Sequence, residues 1–263
     1  GTTGLVSDPH EVANVLGVEG VKFMLEDSRK TPVKFFFGAP SCVPATTYET
    51  SGAVINHENI DELLRMDEIK YLSEMMNFPG VINDDPEIID KLNIAVKYNK
   101  PIDGHAPALR GENLKKYISS GITTDHECTS LDEALEKINL GMKILIREGS
   151  AARNLEALKP LLRSHPDKVM LCSDDLHPEM LSEQHINKLV SRLISEGFDV
   201  FDTIRSCTLN PALHYKLDTG LLRPGDPADF IIAENLRSMD IKETWIDGIK
   251  VYGSGKVNFK YYG

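Results

Sequence analysis

Four side chains able to hold a metal stand where short apolar runs end. Glu74 lies in Leu72-Ser-Glu-Met-Met-Asn77 and His105 in Asp103-Gly-His-Ala-Pro107. His126 lies in Thr124-Asp-His-Glu127, and Asp174 in Cys172-Ser-Asp-Asp175. Two neutral imidazoles and two carboxylates facing one space make a hard-to-borderline donor set, suited to Zn²⁺, Mn²⁺ or Fe²⁺. A carboxylate between two such ions bridges them, and ions about 3.5–4 Å apart activate a shared water. One histidine at a strand end is more often structural than a ligand. Four such positions on four separate runs rarely arise by chance. Both imidazoles also have an acidic or flexible neighbour that would orient the ring.

Other residues admit two readings. His10, in Ser7-Asp-Pro-His-Glu11, either faces the same space or sits on a turn set by Asp8-Pro9. His177 follows Asp174-Asp175 and either meets a substrate or belongs to a surface loop. In Ile146-Arg-Glu-Gly-Ser-Ala-Ala-Arg-Asn154, Arg147 and Glu148 close an apolar run. There the amides of Gly149 to Ala151 would approach a ligand, or the charges form a structural ion pair. His57, His165, His185 and His214 read as structural.

Rival chemistries lack their motifs. There is no GxSxG nucleophile elbow. Gly253-Ser-Gly-Lys256 lacks the full spacing and following helix of a phosphate-binding loop. His177-Pro-Glu179 has no CxxC to complete the compact zinc-deaminase signature. Cys42, Cys128, Cys172 and Cys207 are too scattered for a disulfide scaffold or a cysteine zinc site, and read as reduced.

The elements that must position these residues alternate along the chain. Strand-like runs cover Gly4–Ser7, Val33–Phe37, Ile69–Met75, Pro101–Gly104, Thr123–His126, Met142–Ile146 and Val169–Ser173. Several are unbroken apolar stretches, as strands covered on both faces require. Asp85-Pro86 opens a helix over Glu87–Tyr98, and Gly111–Ser120 ends at Gly121. Ser130-Leu-Asp-Glu133 is a capping box leading to about Leu140, and helices are expected over Asn154–Ser164 and Gln184–Glu196. Such alternation implies parallel strands with right-handed crossovers. No GxGxxG follows the first strand, and the polar residues gather at the ends of several strands. Both points favour a closed barrel over an open doubly wound sheet. Seven strands predict an α/β (β/α)8 TIM-type barrel lacking its first strand, over residues 1–212. Residues 213–263 should form a small β element, with a hairpin around Asp247-Gly248. The opening Gly-Thr-Thr, without Met, suggests a piece of a longer protein.

The chain has 263 residues, 41% hydrophobic, with a formal net charge of −11 and a pI near 5.2. That surface argues against nucleic acid and anionic membranes as partners. A small neutral substrate fits, a homo-oligomer stays open, and the expected location is the cytoplasm.

At these residues the sequence resembles the adenine deaminases of the amidohydrolase superfamily. The matching runs include Ser7-Asp-Pro-His-Glu11, Gly38-Ala-Pro-Ser-Cys-Val-Pro-Ala-Thr46, Ser73-Glu-Met-Met-Asn77, Asp103-Gly-His-Ala-Pro107, Thr124-Asp-His-Glu-Cys128, Ile146–Asn154, Cys172-Ser-Asp-Asp175 and Gly220–Asp229. The resemblance implies two divalent ions, Mn²⁺ or Fe²⁺, or else Zn²⁺. Glu74 would bridge them in place of the modified lysine of many relatives. His105 and His126 would bind one ion. Asp174 would bind the other and shuttle a proton. The substrate implied is adenine, released as hypoxanthine and ammonia. Glu127, Arg147, Glu148, Asp175 and His177 are the candidates for contacting the purine. The chain departs from that family in lacking the His-x-His of the first barrel strand and a large C-terminal region. Two alternatives are another amidohydrolase reaction, on a cyclic amide or a different aminopurine, and a non-catalytic fragment.

Overall fold

A computed structural model describes residues 1–46, 48–183 and 185–260. Seven parallel strands run in chain order: β1 (Gly4–Ser7), β2 (Lys34–Ala39), β3 (Ile69–Met75), β4 (Ile102–Gly104), β5 (Thr124–Asp125), β6 (Lys143–Arg147) and β7 (Val169–Cys172). They form ladders β1-β2-β3-β4 and β5-β6-β7. The Thr123 amide joins the two ladders by donating to the Ile102 carbonyl at 2.9 Å. Each strand falls within two residues of the bounds expected from its apolar run.

Two layers of core follow from that arrangement. Leu72, Met75, Ile102 and Phe37 pack outward against Ile60, Leu63, Leu92, Leu114 and Tyr117 of the surrounding helices. On the other side, Tyr71 and Met170 meet Val6, Leu145, Tyr215 and Leu217. Side chains of β1, β3, β6 and β7 reach one another only if the strands curve around a common axis. The result is a TIM-barrel-type α/β fold.

The helices obey their local signals. Asp85 accepts from the Glu87 and Ile88 amides and Pro86 opens the helix Pro86–Lys97. Ser130 accepts from the Glu133 amide at the start of Leu131–Asn139. The capping box is only half made, because the Glu133 carboxylate bonds elsewhere. The single helix expected over Asn154–Ser164 is instead two short ones, Leu155–Leu158 and Leu161–Ser164. Pro160 stands between them and cannot donate the amide bond a continuous helix needs. The helix expected from Gln184 runs over Ile186–Ser195, and Gln184 lies outside the described residues.

Beyond the parallel strands lies an antiparallel sheet of β8 (Phe230–Ala233), β9 (Ile241–Ile246), β10 (Ile249–Gly253) and β11 (Lys256–Val257). Asp247 and Gly248, at φ of 49° and 76°, make the expected tight turn between β9 and β10. The Lys34 ammonium, at the start of β2, reaches Asp229 at 2.8 Å and Asp247 at 2.7 Å, and so ties this sheet to the parallel one. All four cysteines are free. Among the described residues, no helix is long and apolar enough to cross a membrane.

Candidate metal centre

Glu74 reaches the site through an irregularity in β3. Leu72 pairs with Ile102 and Met75 with Gly104, so β3 carries one residue more than β4 over the same span. Leu72 and Met75 both face the outer core. Strict alternation would put one residue between them, but Ser73 and Glu74 both stand there. This bulge re-aims the strand and delivers Glu74 to the strand ends.

His105 and His126 arrive from the neighbouring strands β4 and β5. Those strands approach closely because position 104 is glycine. A Cβ there would stand 2.3 Å from the Thr124 carbonyl oxygen. The Tyr117 hydroxyl fixes the turn, accepting from the His105 amide at 3.0 Å and donating to the Met75 carbonyl at 2.9 Å. Asn154 accepts from the Arg147 amide and donates to the carbonyls of His126 and Cys128, joining β6 to the His126 loop.

Glu74 Oε2 lies 2.8 Å from His105 Nδ1 and 3.0 Å from His126 Nε2. The rings stand edge to face with centroids 5.3 Å apart. Burial opposes the charge on Glu74, yet the two imidazoles hold its carboxyl well below the usual carboxylate range. Burial likewise opposes charge on His126, but Glu74 lifts it to about 9. Glu127 Oε1 stands 3.5 Å from His105 Nδ1 and 3.4 Å from His126 Nε2.

A second group shares Glu74. His10 Nδ1 is 3.9 Å from Glu74 Oε1 and 3.1 Å from Asp8 Oδ2. The neighbouring Asp8 carboxylate raises His10 to about 9 against the effect of burial. Of the two readings of His10, its side chain therefore meets the same space. Asp8 was not singled out as a ligand by sequence, since Asp8-Pro9 also reads as a turn. The donor atoms of Glu74, His105 and His126 lie within 4.8 Å of one another, and so do those of Asp8, His10 and Glu74.

The donors fit a divalent cation. Asp8 Oδ1 is buried without a hydrogen-bond partner, and His10 Nδ1 meets only Asp8 Oδ2, at 3.1 Å and without good hydrogen-bond geometry, an arrangement that is costly unless something else engages them. Carboxylates and imidazoles crowd together with their donor atoms convergent, the chemistry that first-row divalent metals select.

Asp174 is placed differently from the expectation of a direct fourth member. Its Oδ2 accepts from Arg147 Nη1 at 2.8 Å, and Arg147 also holds Glu127 by two bonds of 2.6 and 2.9 Å. Asp174 thus joins the site through Arg147 and Glu127. It takes a positive φ of 50°, which a short polar side chain tolerates. The structure therefore brings Arg147 and Glu127 together with the Glu74, His105 and His126 group.

Glu148 lies apart, lining a cavity of about 350 Å³ with Thr129, Arg153, Asn154, Glu156, Ala157 and Arg192. The amides of Gly149 and Ser150 donate to the carbonyls of Ala152 and Asp175, so these two are not free to approach a ligand. Asp175 and His177 are exposed, and the His177 amide donates to Ser150 Oγ at 2.8 Å.

The histidines read as structural from sequence make contacts outside this group. His57 pairs with Glu87, His165 with Ser164 and His185 with Thr2. His214 packs edge-on against Tyr215, and burial lowers it to about 3. Asp103, two residues before His105, accepts from Tyr215 and Thr124, and burial raises it to about 6.

A model of the Amidohydrolase family matches residues 1–251. The chain belongs to the amidohydrolase family. This amidohydrolase is 59% identical over 260 residues to an adenine deaminase of Methanosarcina mazei, covering 98% of the chain and 47% of that protein. It is 56% identical over 256 residues to an adenine deaminase of Sulfurovum sp., covering 97% of the chain and 48% of that protein. The chain thus spans about half the length of the curated relatives it matches. Among solved structures, it resembles a β-aspartyl dipeptidase from Fervidobacterium islandicum, with a TM-score of 0.71 at 14% identity, covering 99% of the chain and 76% of that one. An enamidase matches with a TM-score of 0.66 at 15% identity, covering 94% of the chain and 71% of that one. At such identities the likeness concerns the fold alone.

Proposed function

We propose that this amidohydrolase carries the metal centre of an enzyme that hydrolyses adenine to hypoxanthine and ammonia. The observation that carries the reading is the Glu74 carboxylate spanning His105 and His126 at 2.8 and 3.0 Å, in a chain 59% identical to a protein named adenine deaminase.

Glu74, His105 and His126 would hold one divalent cation, with Glu74 reaching towards a second beside Asp8 and His10. Asp174 is the further ligand suggested by sequence. Mn²⁺, Fe²⁺ and Zn²⁺ all suit the set. A divalent ion held there would supply Lewis-acid chemistry, lowering the pKa of water towards about 7.

The chain's own residues then handle the protons. Asp174, oriented by Arg147, takes a proton as the water oxygen bonds to C6 and passes it to the departing amine. Over the cycle one water proton ends on ring N1 and the other on the amine. The amine leaves as ammonia and the oxygen stays on C6. Glu127, held by two bonds to Arg147, would carry the other water proton to ring N1, where negative charge develops as the oxygen bonds to C6. Glu148 is the less suited of the two, since its carboxylate lines the separate cavity with Arg192. Asp175 and His177 would contribute from the exposed rim.

The proposed barrel takes in residues 1–212 and would need an eighth strand to close, and the small β unit takes in residues 213–263. The partner is a purine base, and the negative surface fits a protein that binds neither nucleic acid nor anionic membrane and works in the cytoplasm. The test is ammonia release from adenine by the Mn²⁺-loaded chain and by a version extended to the full length of its relatives. Turnover of adenine in preference to guanine, dihydroorotate and hydantoin supports the reading. Turnover of a cyclic amide instead, or of nothing by the extended version, refutes it.

A further inference from the structure

We infer that Lys137 is a positioning residue whose buried ammonium ties the strand end bearing His105 to the strand end bearing His126, and so sets the spacing of the two imidazoles. The inference rests on the proposed metal centre.

Lys137 sits on the helix Leu131–Asn139, on the face it shares with buried Ala134 and Ile138, and its side chain is wholly inaccessible. Its three donors are all engaged. Nζ donates to the Ala106 carbonyl at 2.8 Å, to Glu133 Oε1 at 2.7 Å and to Asp125 Oδ2. Ala106 directly follows His105, and Asp125 directly precedes His126. One ammonium thus reaches the backbone beside one imidazole and the side chain beside the other.

The two carboxylates extend the grip. Glu133 accepts from the Ala108 amide at 2.9 Å and from the Thr129 amide at 3.3 Å. Asp125 accepts from the Glu127 amide at 2.6 Å. The loops 105–108 and 126–129 are therefore bound to one node from both sides. This use of Glu133 explains the unfinished capping box at Ser130.

The donor atoms of Asp125, Cys128 and Glu133 themselves lie within 4.8 Å of one another, a spacing that would also suit a metal. Lys137 already sits within hydrogen-bonding distance of two of the three. The chain fills this place with its own cation. A lysine head is fixed in position and cannot leave, as a clamp requires and an exchangeable ion does not. Burial opposes the charge on Lys137, but Asp125 and Glu133 outweigh it and hold the ammonium above its ordinary range. Charge-assisted bonds of this kind are the stronger ones, more so away from water.

The test uses Lys137→Met and a triple variant, Lys137→Met with Asp125→Asn and Glu133→Gln, which removes the link without leaving stranded charge. Hydrogen exchange in the metal-free chain should be at least about tenfold faster in segments 105–108 and 126–129, with β7 unchanged. Mn²⁺ titration calorimetry should show about 10–100-fold weaker binding, the range for groups that orient ligands. If Lys137→Met fails to fold, the triple variant decides. Unchanged exchange in a folded variant overturns the clamp. Faster exchange with undiminished Mn²⁺ affinity overturns the positioning role. Failure of the unaltered chain to take Mn²⁺ counts against the metal centre itself, and the exchange data then decide the clamp alone.

Discussion

Replacing Glu74 with Gln separates what the carboxylate does for the histidines from what it does for a metal. In the metal-free chain Glu74 lifts His126 to about 9 from an ordinary 6.5, against burial that pushes the other way. The amide keeps the shape and loses the charge. Without it, burial is opposed only by the weaker pull of Asp125 and Asp174, and His126 should titrate well below 9. The interval between 6.5 and about 9 corresponds to about 3 kcal/mol of net preference for the charged imidazole, after burial is offset by Glu74 and, to a smaller extent, Asp125 and Asp174. Ring NMR signals followed from pH 5 to 10 would report it directly. The same variant loses an anionic ligand, so Mn²⁺ affinity should fall by more than the ~100-fold that outer partners reach. A His126 midpoint still near 9 in Glu74→Gln would show that Asp125 or Glu127 holds the proton, and would refute the reasoning.

Other consequences are open to the same kind of check. Gly104→Ala puts a methyl against the Thr124 carbonyl, where backbone cannot yield cheaply; overpacking of this kind costs about 1–3 kcal/mol in urea unfolding, and the separated histidines should bind Mn²⁺ more weakly. Unchanged stability and affinity would contradict the close approach. Arg147→Met frees Asp174 and Glu127 from their shared partner; kcat for adenine should drop about 100-fold, as for a reacting group displaced by about an ångström, and a change within twofold would remove Arg147 from the site. His214 is neutral in the native state down to about 3 but takes a proton below 6.5 when unfolded. Its contribution is therefore complete above pH 6.5 and is lost as pH falls towards 3, on the order of 3 kcal/mol by pH 4.5. His214→Phe should flatten that acid slope in unfolding measurements, and an unaltered slope would place the effect elsewhere.

Much of this arrangement was legible because period and chemistry coincided. The strand carrying Glu74 is mostly apolar and buried, so a carboxylate near its end stood out, whereas the short strands before His105 and His126 hold Asp103, Thr124 and Asp125 and were legible from their place in the alternation. The convergence of those three side chains followed from parallel strands sharing one set of ends. The position of Asp174 did not, because a residue in the loop after a strand is aimed by its contacts, here Arg147. Nor could sequence choose the side on which Glu74 emerges. The bulge that re-aims it depends on pairing with β4, which the run Ile69–Met75 does not encode alone. The Lys137 node left a faint signal: Glu133 and Lys137 stand four residues apart on the face shared with Ala134 and Ile138. Charges on an apolar face ask for buried partners, but which loops supply them is a matter of tertiary contact. The break at Pro160 was written in the sequence and is simply what proline does inside a helix.

Anomalous diffraction from crystals grown with Mn²⁺ tests the metal centre most directly. We expect a peak bonded to Glu74, His105 and His126 at about 2.0–2.3 Å, the range for nitrogen and oxygen ligands of first-row divalent ions. A peak elsewhere, or none at a saturating concentration of the ion, would contradict it.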